Sequence, residues 1–402
     1  MINIYFLIEG NLSTNYGIGT YINSFINISK NLDNFNVNII ALKPNISKFS
    51  IQYSNGINYF NVPYILTNDD NSFTRDRYYQ HIWFLIYPFI KQEVGEKNIL
   101  HINNWICAEY ISLYKKYIPN GKVCFTIHYF DWCFQLDGNI KLYKELINSY
   151  NKGLKEKFDN ELRLLNSVDA IIALSHYTKK ILIDIYKQKD KKIYIINNGI
   201  SEATLPKIDK NLYGFLNNDI IVSFVGRLDK SKGLEYIIKG FKLALEYNKK
   251  LKLLIIGDGD FNYYMDMIYP HYNNIYFLGK IKKNNLNDIY SITDIGILLS
   301  YHEQCSYTII EMLMYGIPVI SSNAIGINEM IFNKYNGLII PILYDKNGEP
   351  YMDIKLISKK IITLAKDKNL KNFLSKNSRN TFKKKYTLFY MQNQLLSLYS
   401  SL

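Results

Sequence analysis

The chain has 402 residues, 48% of them apolar, and a formal net charge of +13 at pH 7. That length exceeds what one hydrophobic core usually sustains, so two domains are expected, and the apolar share excludes a disordered chain. The charge is spread over a lysine-rich sequence without zinc-finger spacing or an RNP-like segment, which argues against a nucleic-acid partner.

Short basic runs such as Lys383 to Lys385 read first as solvated helix faces, and an anionic membrane surface or charged acceptor is the second reading. The opening MINIYFLIEGNLS is too short and too quickly polar for a spanning helix and carries no basic leader. The expected location is therefore cytoplasmic, with peripheral contact at the inner face of the membrane. Cys107, Cys124, Cys133 and Cys305 form no close C-x-x-C pair, which disfavours a disulfide framework and a zinc site.

In chain order, Ile2 to Ile8 predicts a strand, followed by a glycine-bearing turn and a helix in which Tyr21, Phe25, Ile28 and Leu32 recur at helical spacing. Further strands are expected at Val37 to Leu42, Ile99 to Ile102, Val123 to Ile127, Ala170 to Leu174 and Ile193 to Ile196, with helical stretches between several of them. Residues 56–70 fit neither pattern. Strand–helix–strand repetition implies a parallel sheet covered on both faces, a first Rossmann-like domain over residues 1–200. Residues 201–216 read as a linker. A second α/β series follows over residues 217–385: Ile220 to Val225, a helix over KSKGLEYIIKGFKLALEY, LKLLIIG, IYFLG, DIGILLS, a helix around TIIEMLMYG, IPVIS and GLIIP. Residues 386–402 predict an amphipathic helix that returns to the first domain.

Three glycine-bearing turns stand beyond strand ends, where parallel sheets bind ligands. In NYGIGTY, Gly17 and Gly19 open a helix whose first N–H groups suit a phosphate, although GIG is not the dinucleotide fingerprint. In FVGRLDKSKGLEYI, Gly226 ends a strand, Arg227 follows, and Lys232 precedes Gly233; a guanidinium fork and a mobile ammonium on one short loop can grip a diphosphate from two directions. In LSYHEQCSYTIIEMLMYGIPVIS, Glu303 and Glu311 have seven residues between them, too far apart for a metal pair or compact acid–base dyad. Glu311 suits the vicinal hydroxyls of a ribose, and Glu303 with the backbone N–H groups after it suits sugar hydroxyls. Asp258 and Asp260 in GDGD read as a turn after a buried strand, with no essential metal or other cofactor expected. His302 beside Glu303 can orient the loop or bind acceptor, and His101 ends a strand. Tyr129, Trp132 and Trp105 can stack on an acceptor.

GRLDKSKGLEYI, IIGDG, FLGKI and E-QCSYTII-E followed by MLMYGIPVI together resemble the retaining glycosyltransferases of family 4, GT-B class. The resemblance covers essentially the whole chain and is strongest from Phe224 to Ile340. It implies an α/β fold of two facing Rossmann-like domains with an interdomain cleft. The implied reaction moves a sugar from a nucleotide diphosphate-sugar, UDP-linked ahead of GDP-linked, to a hydroxyl of a glycan, lipid-linked glycan or peptide. It further implies that Arg227 and Lys232 contact the donor diphosphate, that Glu311 binds ribose, and that Glu303 lies by the donor sugar. Gly17, Gly19, Gly226 and Gly279 match donor-site glycines, and His128 matches a histidine set against the donor sugar.

One departure concerns Gln304, Cys305 and Ser306, which stand where many relatives carry small or glycine residues; the E-QCSYTII-E form is similar to that of bacterial members. Two other readings use the same residues: an inactive donor-binding scaffold for a partner transferase, and a sugar-nucleotide epimerase. The resemblance implies that the donor's anomeric configuration is kept; with neither prominent carboxylate placed as a covalent nucleophile, the expected route is front-face, a leaving phosphate oxygen taking the proton of the incoming hydroxyl.

Overall fold

In the computed structural model, residues 1–9, 17–29, 34–43, 45–64, 72–90, 96–106, 108–149, 152–203 and 208–402 are described. The chain divides into two compact units. The first comprises Met1–Phe130, Lys141–Gly199 and Leu388–Leu402, and the second Asp131–Ile140 and Ile200–Thr387.

The first unit is built on an eight-stranded sheet. Its strands are β1 (Ile2–Glu9), β2 (Phe35–Lys43), β3 (Ser50–Ser54), β4 (Ile57–Pro63), β5 (Lys97–Ile102), β6 (Lys122–Ile127), β7 (Ala170–Ala173) and β8 (Ile193–Ile195). They lie in the order β3-β4-β2-β1-β5-β6-β7-β8, and all neighbours are parallel except β3 and β4. Strand β1 is buried from Asn3 to Ile8 without alternation, as a strand covered on both faces must be. Residues 57–63, unassigned from the sequence, form β4, paired parallel with β2 and antiparallel with β3; Asn58 and Asn61 break its apolar run, the Asn58 amide donating to Asn38 at 3.0 Å and that of Asn61 to Ser50 at 3.3 Å. The stretch 65–71 lies outside the described residues, as do Leu32 and Cys107.

Helix α1 (Gly17–Ser29) packs Tyr21, Phe25 and Ile28 inward. Helices α2 (Ser72–Ile86), α3 (Ala108–Tyr117), α4 (Asp131–Gln135), α5 (Ile140–Ile147), α6 (Lys152–Ser167) and α7 (His176–Asp184) follow in chain order, α4 falling within the second unit.

The second unit carries a six-stranded parallel sheet in the order β11-β10-β9-β12-β13-β14. These strands are β9 (Ile220–Val225), β10 (Leu251–Ile256), β11 (Ile275–Gly279), β12 (Ile295–Leu298), β13 (Val319–Ser322) and β14 (Gly337–Ile340). A small antiparallel pair, β15 (Leu343–Tyr344) and β16 (Pro350–Tyr351), stands apart from it. Its helices are α8 (Leu234–Tyr247), α9 (Phe261–Met267), α10 (Lys283–Ile292), α11 (Tyr307–Met314), α12 (Ile354–Lys366) and α13 (Lys368–Lys385). Helix α8 buries Leu234, Ile237, Ile238, Phe241 and Leu245, the stripe its periodicity requires.

The last helix, α14 (Leu388–Ser401), is part of the first unit, where Met391, Leu395, Leu398 and Tyr399 are buried. The Tyr399 hydroxyl reaches His101 Nδ1 at 2.6 Å, and His101 Nε2 reaches Thr126 at 2.7 Å. His101 is therefore an interior link between β5 and α14, and burial holds its imidazole down to about 3.

Candidate active site

Strand order locates the crevice in each sheet. In the second unit the chain runs outward from β9 through β10 to β11, then returns to β12 on the other side of β9. That reversal is the switch point where loops leave neighbouring strands in opposite directions and open a crevice at the carboxyl ends. Arg227 and Lys232 follow β9, and Glu303 follows β12. The fold thus brings together residues 71 positions apart in sequence: Lys232 Nζ lies 2.5 Å from Glu303 Oε1.

Local chemistry fixes both partners. The segment Lys230–Lys232 is one turn of 3-10 helix, and helix α8 begins only at Leu234, later than the continuous helix that the sequence predicts. Gly233 makes the break. Its φ of +67° is left-handed, and an added Cβ would stand 2.3 Å from the Leu299 carbonyl oxygen. Only glycine lets the backbone pass this close to the end of β12. The Tyr301 N–H donates to the Ser231 carbonyl at 2.8 Å, tying the two loops. The Ser300 hydroxyl donates to Glu303 Oε1 at 3.2 Å, so the carboxylate has a neutral as well as a charged donor.

The side chains of Lys232 and Glu303 are 16% and 17% exposed, so their pairing is little screened. Arg227 is more open; Nη2 sits 3.2 Å from Asp229 Oδ2, and its guanidinium lies over the Phe134 ring at 5.9 Å. Beside them, His302 meets Phe134 edge-on at 4.8 Å, and burial lowers its imidazole to about 4, leaving it neutral near pH 7.

Glu311 lies within α11 and accepts from the Tyr290 hydroxyl at 2.8 Å. Gln304, Cys305 and Ser306 are all buried, and Ser306 caps α11 by accepting from the Ile309 N–H at 3.5 Å. The Gly226 N–H donates to the Ile256 carbonyl at 2.9 Å, which leaves its carbonyl side and the absence of a side chain as its contribution. Gly279 is exposed at the end of β11, with a φ of +65°. Asp258 accepts from the Gly259 N–H at 2.9 Å and Asp260 caps α9, so each carboxylate serves its own turn. Among the described residues, no group of three or more His, Cys, Asp or Glu side chains is arranged to hold a metal.

In the first unit the reversal lies between β1 and β5. Gly17 and Gly19 open α1 after β1, while the residues 10–16 that precede them are outside the described set. His128, just past β6, contacts Asn103 Oδ1 through Nε2 at 3.0 Å and meets the Tyr21 ring edge-on at 4.7 Å. Desolvation lowers its imidazole to about 3, so it is a neutral hydrogen-bonding group. Trp105 donates from its indole to the Tyr129 carbonyl at 2.9 Å. Trp132 is buried, which removes it as an acceptor platform. Sequence reasoning missed Phe134, Tyr290 and Ser300 altogether. Of these only Ser300, three residues before Glu303, carried a signal that proximity in sequence could reveal.

Comparison with known proteins fits this arrangement. Residues 207–381 match the family model described as Glycosyl transferases group 1, and residues 27–203 match Glycosyltransferase Family 4. The chain belongs to the glycosyltransferases assembled from these two modules, with a GT-B fold. It is 28% identical over 229 residues to an uncharacterized glycosyltransferase of Methanocaldococcus jannaschii, an alignment that spans only 56% of each chain. Sucrose-phosphate synthase from Thermosynechococcus elongatus superposes with a TM-score of 0.76 at 18% identity, covering 100% of this chain and 99% of that one. Anabaena HepE, solved in complex with UDP, gives a TM-score of 0.70 at 15% identity, with 100% of both chains covered.

Proposed function

We propose that the chain is a retaining glycosyltransferase that moves a sugar from a UDP-sugar to a hydroxyl of a glycan, lipid-linked glycan or peptide. The observation that carries this reading is the Lys232–Glu303 pair beside Arg227 at the switch point of the second sheet. Both cations stand in ion pairs, with Glu303 and Asp229, and a diphosphate leaving group can draw on both at once. The UDP bound to a structure of the same fold supports the choice of nucleotide.

In this reading Arg227 and Lys232 stabilise the negative charge that grows on the diphosphate as the anomeric carbon becomes oxocarbenium-like. When the diphosphate enters, Lys232 exchanges part of its bond to Glu303 for phosphate oxygens, and the freed carboxylate accepts from sugar hydroxyls. Glu311, its other oxygen oriented by Tyr290, accepts from the ribose hydroxyls. His128, neutral, meets a hydroxyl of a sugar substrate. A phosphate oxygen on the leaving face takes the proton of the incoming hydroxyl. Attack and departure then share one face, and configuration at the anomeric carbon is kept.

The test is a panel of UDP- and GDP-sugars incubated with candidate acceptors, read by free nucleotide release and by the anomeric proton coupling of the product. Release from one UDP-sugar, stimulated by an acceptor and giving an α-linkage from an α-donor, is expected. A β-linkage would overturn retention, and tight binding without turnover for every pairing would favour the inactive scaffold.

A further inference from the structure

Residues 131–140 are the one segment of the second unit that precedes Ile200 in sequence. They are fastened to that unit by chemically distinct contacts. Asp137 Oδ2 lies 3.4 Å from Lys230 Nζ, which also lies 3.5 Å from Glu349. The Asn139 amide donates to the Gly348 carbonyl at 3.4 Å. Gly138 runs so close to the β12 loop that an added Cβ would stand 3.0 Å from the Tyr301 carbonyl oxygen. This strap holds Phe134 over the candidate active site while leaving the ring 49% exposed.

Arg227 and His302 meet the ring in different ways. The Arg227 guanidinium lies 5.9 Å from its centroid, on the side where the ring's negative face attracts a cation. His302, neutral by burial, meets it at 90° and fixes its tilt. Asp229, 3.2 Å from Nη2, holds one edge of the guanidinium, whose plane can still turn about that contact. A guanidinium shelved on an aromatic face has its plane set before a ligand arrives, so less conformational freedom is lost on binding.

We propose that Phe134 is a positioning residue for the donor: it shelves Arg227 so that the guanidinium fork is already turned to the diphosphate. The inference rests on the diphosphate reading of Arg227. Phe134 touches the arginine and acts through it, and the strap's contacts with Lys230, Tyr301 and Gly348 exist to hold the ring there.

The test is a double-mutant cycle read as UDP affinity by titration calorimetry on the full chain. Phe134→Ala should weaken UDP binding roughly fivefold, the scale of a partly exposed cation–π contact. Phe134→Tyr, which keeps the aromatic face, should restore it. In an Arg227→Ala background, Phe134→Ala should cause no further loss, because the group it positions is gone. Equal losses in both backgrounds, or no loss in the wild-type background, would overturn the proposal while leaving the donor site intact. Failure of the wild-type chain to bind UDP would instead overturn the donor-site reading beneath it. Thermal unfolding of each variant separates a folding defect from a positioning one: Phe134 is half exposed, so the melting temperature of Phe134→Ala should stay within a few degrees of wild type, and a larger drop would mark the ring as structural and overturn the proposal.

Discussion

Replacing Lys232 with methionine keeps the stem and removes the ammonium, leaving Glu303 with Ser300 as a neutral donor at 3.2 Å. Both charged side chains are less than one fifth exposed, so little water reaches the abandoned carboxylate. Breaking this part-buried pair from one side costs about 2 kcal/mol, less than for a fully buried pair, because the surviving charge keeps part of its desolvation penalty and loses its partner. For a unit of this size each kcal/mol moves the melting temperature by roughly 2–4 °C, so the transition of the second unit should fall by about 4–8 °C. Adding Glu303→Gln removes the second charge and should recover most of that loss. Turnover, measured as nucleotide release, should behave otherwise. It falls roughly 10²-fold in Lys232→Met, and the double variant does not recover it, because the diphosphate still lacks its cation. A single variant that melts with the wild type, or a double variant no more stable than the single, would refute the pairing. Wild-type turnover in Lys232→Met would refute the diphosphate role.

Glu311→Gln should raise the donor KM about tenfold with kcat little changed, since a ribose contact persists from ground state to transition state; a collapsed kcat at unchanged KM would reverse its role. Chelators should leave nucleotide release intact if, as proposed, Arg227 and Lys232 meet the diphosphate directly, and magnesium-reversible loss with EDTA would contradict this. Buried neutral histidines make the chain acid-sensitive. His101 and His128 titrate near 3 and His302 near 4 when folded, against about 6.5 when unfolded, so the unfolded state holds more protons throughout that window. Their contribution to stability is present above pH 6.5 and is lost as pH drops toward 3. By pH 5 the share of His101 is roughly 2 kcal/mol, so urea midpoints of wild type and His101→Gln should diverge between pH 7 and 5, and parallel curves would refute it. Gly233→Ala should destabilise the second unit by about 2 kcal/mol or more, through left-handed backbone strain and collision with the Leu299 carbonyl; an unchanged melting temperature would show that the two loops are not in contact.

Much of this molecule was legible in one dimension because its signals are local. Apolar runs such as Ile220 to Val225, broken only by Ser223 and too short for a buried helix, read as covered strands, and the stripe from Leu234 to Leu245 reads as one face of a helix. Arg227, Lys232, Glu303 and Glu311 stood out because charged residues at fixed offsets from strand ends are hard to explain as packing. The sequence determined the two α/β series, the strand ends that carry the candidate site, and the residue types able to grip a diphosphate. Only the tertiary structure decided which of these meet. The 2.5 Å bond between Lys232 and Glu303 depends on β9 and β12 being neighbours, a consequence of strand order that no local pattern encodes. It likewise sent His101 into the interior beneath Tyr399, closed Trp132 off from solvent, and returned the strap at 131–140 to the second unit with Phe134 against Arg227. The physical reason is common to all of these: burial and contact depend on which elements pack together, and that is settled by the whole fold at once.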